Sequence, residues 1–346
     1  MIIIGIAGGT GSGKTESFLL PLFAQLAKEM AAWQAPGEKE VLSDKWWNED
    51  LCDSDIVDSN TFELRKACQQ RAHDNRPAGV RALILYPMNA LVEDQLTRLR
   101  KALDSDDARK WFSANLHDNR VYFGRYNGNT PVAGELKIRG SNGSFIINKY
   151  KIEALRNELR IVEDDATRVQ EYISEQEASV KSIEASYKKE LIAFFPRIDG
   201  AEMRSRFDIQ VAPPDILITN YSMLSIMLMR DIDNGILEKT REWLECNDEF
   251  TRNWSREEKD EEKKNRVFHL IIDELHLYRG TQGTEVAYLL KIVLDRLGLH
   301  PSHPQLRILA SSASLVANDS EEGQKSFAFI QDFFGAADAK NEFKIV

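Results

Sequence analysis

The chain is poor in cysteine and has no long apolar run. Its three cysteines (Cys52, Cys68, Cys246) are scattered, without metal-ligand spacing. That excludes a disulfide framework and a cysteine-based metal site, and it suits a reducing cytoplasm. No stretch of 18 or more apolar residues occurs, so no membrane span and no membrane partner are expected. The opening "MIIIGIAGGT" is apolar but lacks a basic flank and a cleavage site, so it reads as a buried strand and not as a secretion signal. There is no internal repeat. Excess positive charge is lacking too: the net charge is −10. Phosphate contacts need Lys and Arg at the contact surface, but the acids cluster in two segments, Asp248 to Lys264 and Lys151 to Lys189. Net charge therefore neither supports nor excludes a nucleic-acid partner.

What is present is a rhythm. With 346 residues, 42% of them hydrophobic, the chain can bury a sizeable core. Apolar runs recur at Met1–Ala7, Ala82–Pro87, Val121–Tyr126, Asp215–Asn220, Phe268–Glu274 and Leu306–Ser314. Continuous Ile, Leu and Val runs of this length suit strands buried on both faces, as in a parallel sheet. Helical patterns follow at Glu16–Ala32, Asn89–Leu103, Ser222–Arg230 and Thr284–Leu297. The alternation predicts an α/β fold with a doubly wound, mostly parallel sheet. Two segments break the rhythm. Gly37–Gly79 is polar and irregular and reads as a partly ordered insertion. Lys151–Phe195 has neither Gly nor Pro, and Ile152, Leu155, Leu159, Val162, Ala166, Val169 and Ile173 repeat at steps of three and four. That heptad pattern predicts a coiled-coil-like helix, or a hairpin if the chain turns near Glu163–Ala166. It either packs on its own sheet or serves as a docking arm.

"GGTGSGKT" fills the pattern Gly8-x-x-x-x-Gly13-Lys14-Thr15, a phosphate-binding loop between a strand and a helix. Glycines let backbone N–H groups face the phosphates without a side chain between. Gly9, Thr10, Gly11, Ser12, Gly13, Lys14 and Thr15 are the expected nucleotide-binding residues. Lys14 brings charge to the β and γ phosphates, Thr15 a hydroxyl to Mg²⁺, and the helix N-terminus favours the anion.

"LIIDELHLYRGTQGTE" ends an apolar run in Asp273-Glu274-Leu275-His276. A carboxylate at the C-terminal end of a buried strand stands where ligands bind in such sheets. Asp273 is expected to hold Mg²⁺ and Glu274 to orient and deprotonate the attacking water. The helix start at Pro87 and Asn89, the strand end at Thr219, Asn220 and Tyr221, and Arg125 in "FGRYNGNTP" offer donors for backbone phosphates.

Together these stretches resemble the superfamily 2 DEAD/DEAH-box (DExH) helicases. "ALILYPMNALVEDQL", "PPDILITNYSML" and "IIDELHLYRGTQGTEVAYLL" are similar to the N-terminal RecA-like ATPase domain of the large bacterial defence and repair helicases. The resemblance covers most of the chain outside the two insertions. It implies ATP and Mg²⁺ as cofactors, DNA or RNA as partner, and a cytoplasmic enzyme. It also implies that His276 links the nucleotide site to neighbouring motifs. "ASSAS" resembles the Ser-Ala-Thr motif, so Ser312 and Ser314 are implied to couple ATP state to nucleic-acid grip. Motors of this superfamily use two RecA-like domains, and one is legible between Met1 and Val346. A half-motor, completed by a second domain or subunit and weak alone, is therefore expected. Two other readings stay open. "IGIAGGTGSGKT" also opens small-molecule P-loop kinases, although Glu16 stands where a second hydroxyl residue is usual there. A non-catalytic module acting through the heptad segment would be indifferent to Lys14 and Glu274.

Overall fold

The computed structural model describes residues 2–5, 14–38, 45–178, 184–315, 320–336 and 343–345. Gly8–Gly13, and with them most of the expected nucleotide loop, lie outside these. Lys14 and Thr15 are described as the first residues of the helix Lys14–Met30.

Nine strands are described: β1 (Ile2–Gly5), β2 (Ala82–Tyr86), β3 (Phe123–Tyr126), β4 (Lys137–Arg139), β5 (Phe145–Ile147), β6 (Ile216–Asn220), β7 (Phe268–Ile272), β8 (Leu306–Ser311) and β9 (Phe343–Ile345). The chain forms two compact units. The first comprises Met1–Trp33, Arg76–Val92 and Asp215–Val346; the second comprises Gln34–Asn75 and Glu93–Pro214.

The first unit is the mostly parallel α/β sheet expected of a RecA-like core. Its strands run in the order β6-β2-β7-β8-β1-β9, and every neighbouring pair is parallel. β2 and β7 are buried along their whole length, because each has neighbours on both edges and helices on the faces. A pleated row runs across the middle: Leu85 is opposite Thr219 and Ile272, Ile272 opposite Ala310, and Ala310 opposite Ile4. The C-terminal ends of five strands therefore line one edge. Parallel neighbours are about 4.8 Å apart, so β1 and β7 stand roughly 10 Å apart with β8 between them.

The opposite edge is fixed by buried ion pairs. Asp215, just before β6, accepts from Arg76 at 2.6 and 2.8 Å, a bidentate pair. Arg81, just before β2, donates to Glu29 at 2.7 Å and lies 4.5 Å above the Trp243 ring. Removing one partner of such a pair would leave a bare buried charge.

The second unit holds both segments that break the sequence rhythm. The expected partly ordered polar insertion is packed: Trp46, Trp47, Ile56 and Leu64 are buried in one cluster with Ile152, Leu155 and Leu159 of the helix Lys149–Ala178. The two irregular segments supply each other's apolar face, which neither shows alone. Glu163 on that helix accepts from the Trp47 indole and the Asn48 amide, both at 2.9 Å. The helix runs unbroken through Glu163–Ala166, without the turn considered there. At about 1.5 Å per residue it is roughly 45 Å long. A second helix, Ala185–Ala193, contacts it.

Candidate active site at the sheet's C-terminal edge

β7 ends at Ile272, and Asp273 and Glu274 follow in a turn. The Asp273 amide still donates to the Leu85 carbonyl at 3.1 Å, so the sheet holds the first carboxylate directly. Asp273 is buried. Its Oδ1 accepts from the Ser311 hydroxyl at the end of β8. The same Ser311 oxygen accepts from the Glu274 amide at 3.0 Å. One hydroxyl thus ties both acidic residues to the neighbouring strand. Glu274 sits in the left-handed region, with φ 51° and ψ 48°. Few non-glycine residues adopt it, and such positions cluster at functional sites. The turn swings the second carboxylate away from the direction of β7, and its Oε2 lies 3.2 Å from His276 Nδ1.

His276 Nδ1 also stands 3.3 Å from the Ala313 amide. One ring nitrogen cannot serve both. Protonated, it donates to Glu274; unprotonated, it accepts from Ala313. Either contact links the Asp273–Leu277 turn to its neighbours. A second bridge lies close by in sequence: Arg279 donates to the Ser314 hydroxyl at 2.6 Å. Its guanidinium lies 5.7 Å from the centre of the Phe329 ring. These residues border a cavity of about 500 Å³, with Glu322 and Lys325 on its far wall.

Of the expected coupling serines, Ser314 receives Arg279, while Ser312 is buried and accepts from the Ser314 amide at 3.4 Å. Ser311 and Arg279 were not singled out by the sequence. Ser311 is the last residue of β8 and stands opposite Gly5, one residue beyond the pair Ala310–Ile272, a register that local sequence does not carry.

The expected nucleic-acid residues divide. Pro87 and Asn89 follow β2, and Asn220 ends β6. The Asn220 side-chain Nδ2 donates to Asn89 Oδ1 at 2.7 Å, and its side-chain Oδ1 accepts from Met223 N–H at 2.8 Å. Asn220 is thus the N-cap of the helix Tyr221–Met229. Tyr221 is half-buried. Thr219 is fully buried, with its hydroxyl directed to the Asn220 carbonyl at 3.4 Å, so it does not present a donor to solvent. Arg125 belongs to the second unit, where it pairs with Glu93. Desolvation lowers its pKa.

The donor set suits a hard divalent cation. A buried carboxylate with one oxygen already oriented, and a second carboxylate beside it, supply oxygen ligands of the kind Mg²⁺ takes alongside phosphates and water. The N-terminus of the 17-residue helix Lys14–Met30 suits an anion.

The chain is 30% identical to Druantia protein DruE of Escherichia coli (strain UMEA 4076-1), in an alignment covering 99% of this chain and 16% of that protein. Among solved structures it is similar to the DUF1998 helicase MrfA (13% identity, TM-score 0.41, 100% of this chain and 27% of that one). It is also similar to the Mycobacterium smegmatis helicase Lhr bound to ssDNA and AMP-PNP (17% identity, TM-score 0.37, 97% and 27%). The chain thus spans a sixth to about a quarter of the proteins it resembles. Residues 2–120, which include the Gly8–Thr15 loop and β2, match the model of the DEAD/DEAH box helicase family.

Proposed function

We propose that this chain is the ATP-binding part of an ATP-dependent DNA helicase or translocase, working in anti-phage defence or DNA repair. The observation that carries the reading is the carboxylate pair at the end of β7, tied by Ser311 to β8, one strand from β1 and its phosphate loop. In this reading Gly9–Thr15 hold the triphosphate and Lys14 meets its charge. Thr15 and Asp273 hold Mg²⁺, which supplies charge neutralisation at the phosphates. Glu274 orients a water and accepts its proton at a carboxylate oxygen. Ser311 keeps Asp273 and Glu274 in fixed relation. Ser312 and Ser314, with Arg279, pass a change in the turn to the helix Glu321–Phe334. Pro87, Asn89, Asn220 and Tyr221, at the C-terminal ends of β2 and β6 and the helix starts that follow, face a nucleic-acid backbone, with Asn89, Asn220 and Tyr221 supplying the donors. A second RecA-like domain or subunit completes the motor.

The test is nucleotide binding and ATP turnover, with and without single-stranded DNA, on the chain, on Lys14→Ala and on Glu274→Gln. Binding should be lost in Lys14→Ala and kept in Glu274→Gln. Any turnover should fall about 100-fold or more in Glu274→Gln. Nucleotide binding indifferent to Lys14→Ala would sink the proposal.

A further inference from the structure

Besides the residues at the end of the parallel sheet, the second unit carries a surface element with the chemistry of a nucleic-acid contact. β4 and β5 form an antiparallel hairpin in which Lys137 is opposite Ile147, Ile138 opposite Ile146, and Arg139 opposite Phe145. Its root is fixed. Leu136 is buried in the core cluster and Ile147 packs against it, and the Asn148 amide donates to the Leu136 carbonyl at 2.8 Å. Its tip is ordered by its own bonds. Gly140 N–H donates to Ser144 O at 2.8 Å, the Ser144 hydroxyl donates to Asn142 Oδ1 at 2.6 Å, and Gly143 takes φ +82°.

A rooted hairpin would normally turn a polar surface to water. This one does not. Ile138 is 38% exposed, Ile146 49% and Phe145 49%, and Tyr150, three residues after β5, is 84% exposed. Ile138 and Ile146 share one face, since directly opposite residues do. Exposed apolar side chains scattered singly need no explanation, but four within thirteen residues mark an interaction surface. Its charge names the partner. From Glu135 to Lys151 there are four basic residues and one acidic, in a chain of net charge −10. Lys137 Nζ lies 5.0 Å and the Arg139 guanidinium 5.9 Å from the centre of the Phe145 ring. Arg139 is exposed and has no ion pair among the described residues; Lys137 lies 3.9 Å from Glu135 and Lys149 3.4 Å from Asp53, surface pairs worth little in water that a phosphate can replace. Aromatic faces set among cations are the means by which proteins hold unpaired bases and their phosphates without reading sequence.

We propose that the Lys137–Tyr150 hairpin region is a second nucleic-acid contact, which grips a single strand. Phe145 and Tyr150 stack on bases, and Lys137, Arg139 and Lys149 meet phosphates. The inference rests on the motor reading for the presence of a nucleic acid, but not on any residue of the ATP site.

The experiment is fluorescence anisotropy of the whole 346-residue chain with an oligo-thymidylate of about 20 nucleotides and with the matching duplex, over a range of salt. Tyr150→Ala should weaken single-strand binding about tenfold and leave the salt dependence unchanged. Lys137→Ala/Arg139→Ala should lower the slope of log K against log salt by about 1.4, as two lost phosphate contacts on a single strand require. Arg168→Ala/Arg256→Ala, matched in charge and distant in sequence, should do neither. Single-strand binding unchanged in both hairpin variants overturns the inference and leaves the motor reading standing. So does equal binding of the duplex with no effect of Tyr150→Ala. So does a shift in oligomeric state without loss of oligonucleotide affinity, which would make the hairpin a contact between copies. A wild-type chain that binds nucleotide through Lys14 but no nucleic acid under any salt overturns the hairpin contact and the nucleic-acid half of the motor reading together.

Discussion

At the scale of single residues, the site turns on one hydroxyl. Ser311 donates to the Asp273 carboxylate and accepts from the Glu274 amide at 3.0 Å. Ser311→Ala removes one hydrogen bond from that buried carboxylate and one from the Glu274 amide. A hydrogen bond to a charged group contributes about 1.5–3 kcal/mol, and without the shared hydroxyl the two acids lose that link to β8. The expected result is a fall in ATP turnover of about tenfold or more, since removing one orienting hydrogen bond at a reacting centre costs at least that. Nucleotide binding, which depends on Lys14, should change little. Steady-state ATPase and binding assays on this variant separate the two effects. Asp273 and Glu274 were legible because the signal is local: an apolar run that ends in two carboxylates. Ser311 was not, because its bond crosses from one strand to the next over 38 residues of sequence. Thr219 differs for a related reason. A hydroxyl at a strand end looks available, but β6 is buried on both faces as far as Thr219.

At the scale of elements, two rules collide at Gly283. It stands inside the helix Gly280–Arg296, where Gly costs about 1 kcal/mol relative to Ala. Propensity alone therefore predicts that Gly283→Ala stabilises. The geometry predicts the reverse. A Cβ at Gly283 would come within 2.3 Å of the Tyr278 carbonyl oxygen and 2.8 Å of its carbon. These are backbone atoms, which cannot swing aside, and the cost of forcing such contacts is typically about 1–3 kcal/mol or more. Gly283→Ala should lower the unfolding midpoint, and because Tyr278 lies four residues beyond Glu274, it should lower ATP turnover as well. An unchanged or raised midpoint would mean that the helix and the loop move apart freely. Most elements of the first unit were legible, since β2, β6, β7 and β8 are continuous apolar runs and the helix Gly280–Arg296 follows one of them with a helical pattern of its own. The second unit was not. Trp46 and Trp47 sit in a polar stretch, and the face that covers them, on Ile152, Leu155 and Leu159, is about a hundred residues away. Local periodicity carries no trace of such a partner. The β4–β5 hairpin also escaped, because each strand has only three residues and the apolar run Phe145–Ile147 does not continue the polar-apolar alternation of Leu136–Arg139.

At the scale of the molecule, one buried group in each unit answers acid, and the two have opposite signs. His269, in the middle of β7, is pushed down to about 4 from 6.5, first by burial and also by the nearby Arg307 charge. Between those values the unfolded chain binds the proton and the folded one does not. The His269 contribution is thus fully present above about pH 6.5 and is lost as pH falls towards 4. Asp104, in the second unit, is pushed up to about 6 from 3.8 by burial, against the lowering effect of the Ala201 amide and of Arg109. There the folded state binds the extra proton. The Asp104 contribution is fully present below about pH 3.8 and is lost as pH rises through 6. Each shift corresponds to about 3 kcal/mol, so over roughly pH 4 to 6 the His269 contribution to the first unit grows with rising pH and the Asp104 contribution to the second shrinks. If the units unfold in separate transitions, each denaturant midpoint carries the response of its own group. His269→Gln should make the first unit's midpoint rise less with pH than in the wild type, and Asp104→Asn should make the second unit's midpoint fall less or rise more. If the chain unfolds as one, His269→Gln should gain less stability than the wild type as pH rises, and Asp104→Asn more. A wild-type slope unaffected by either variant would assign the pH response to other groups.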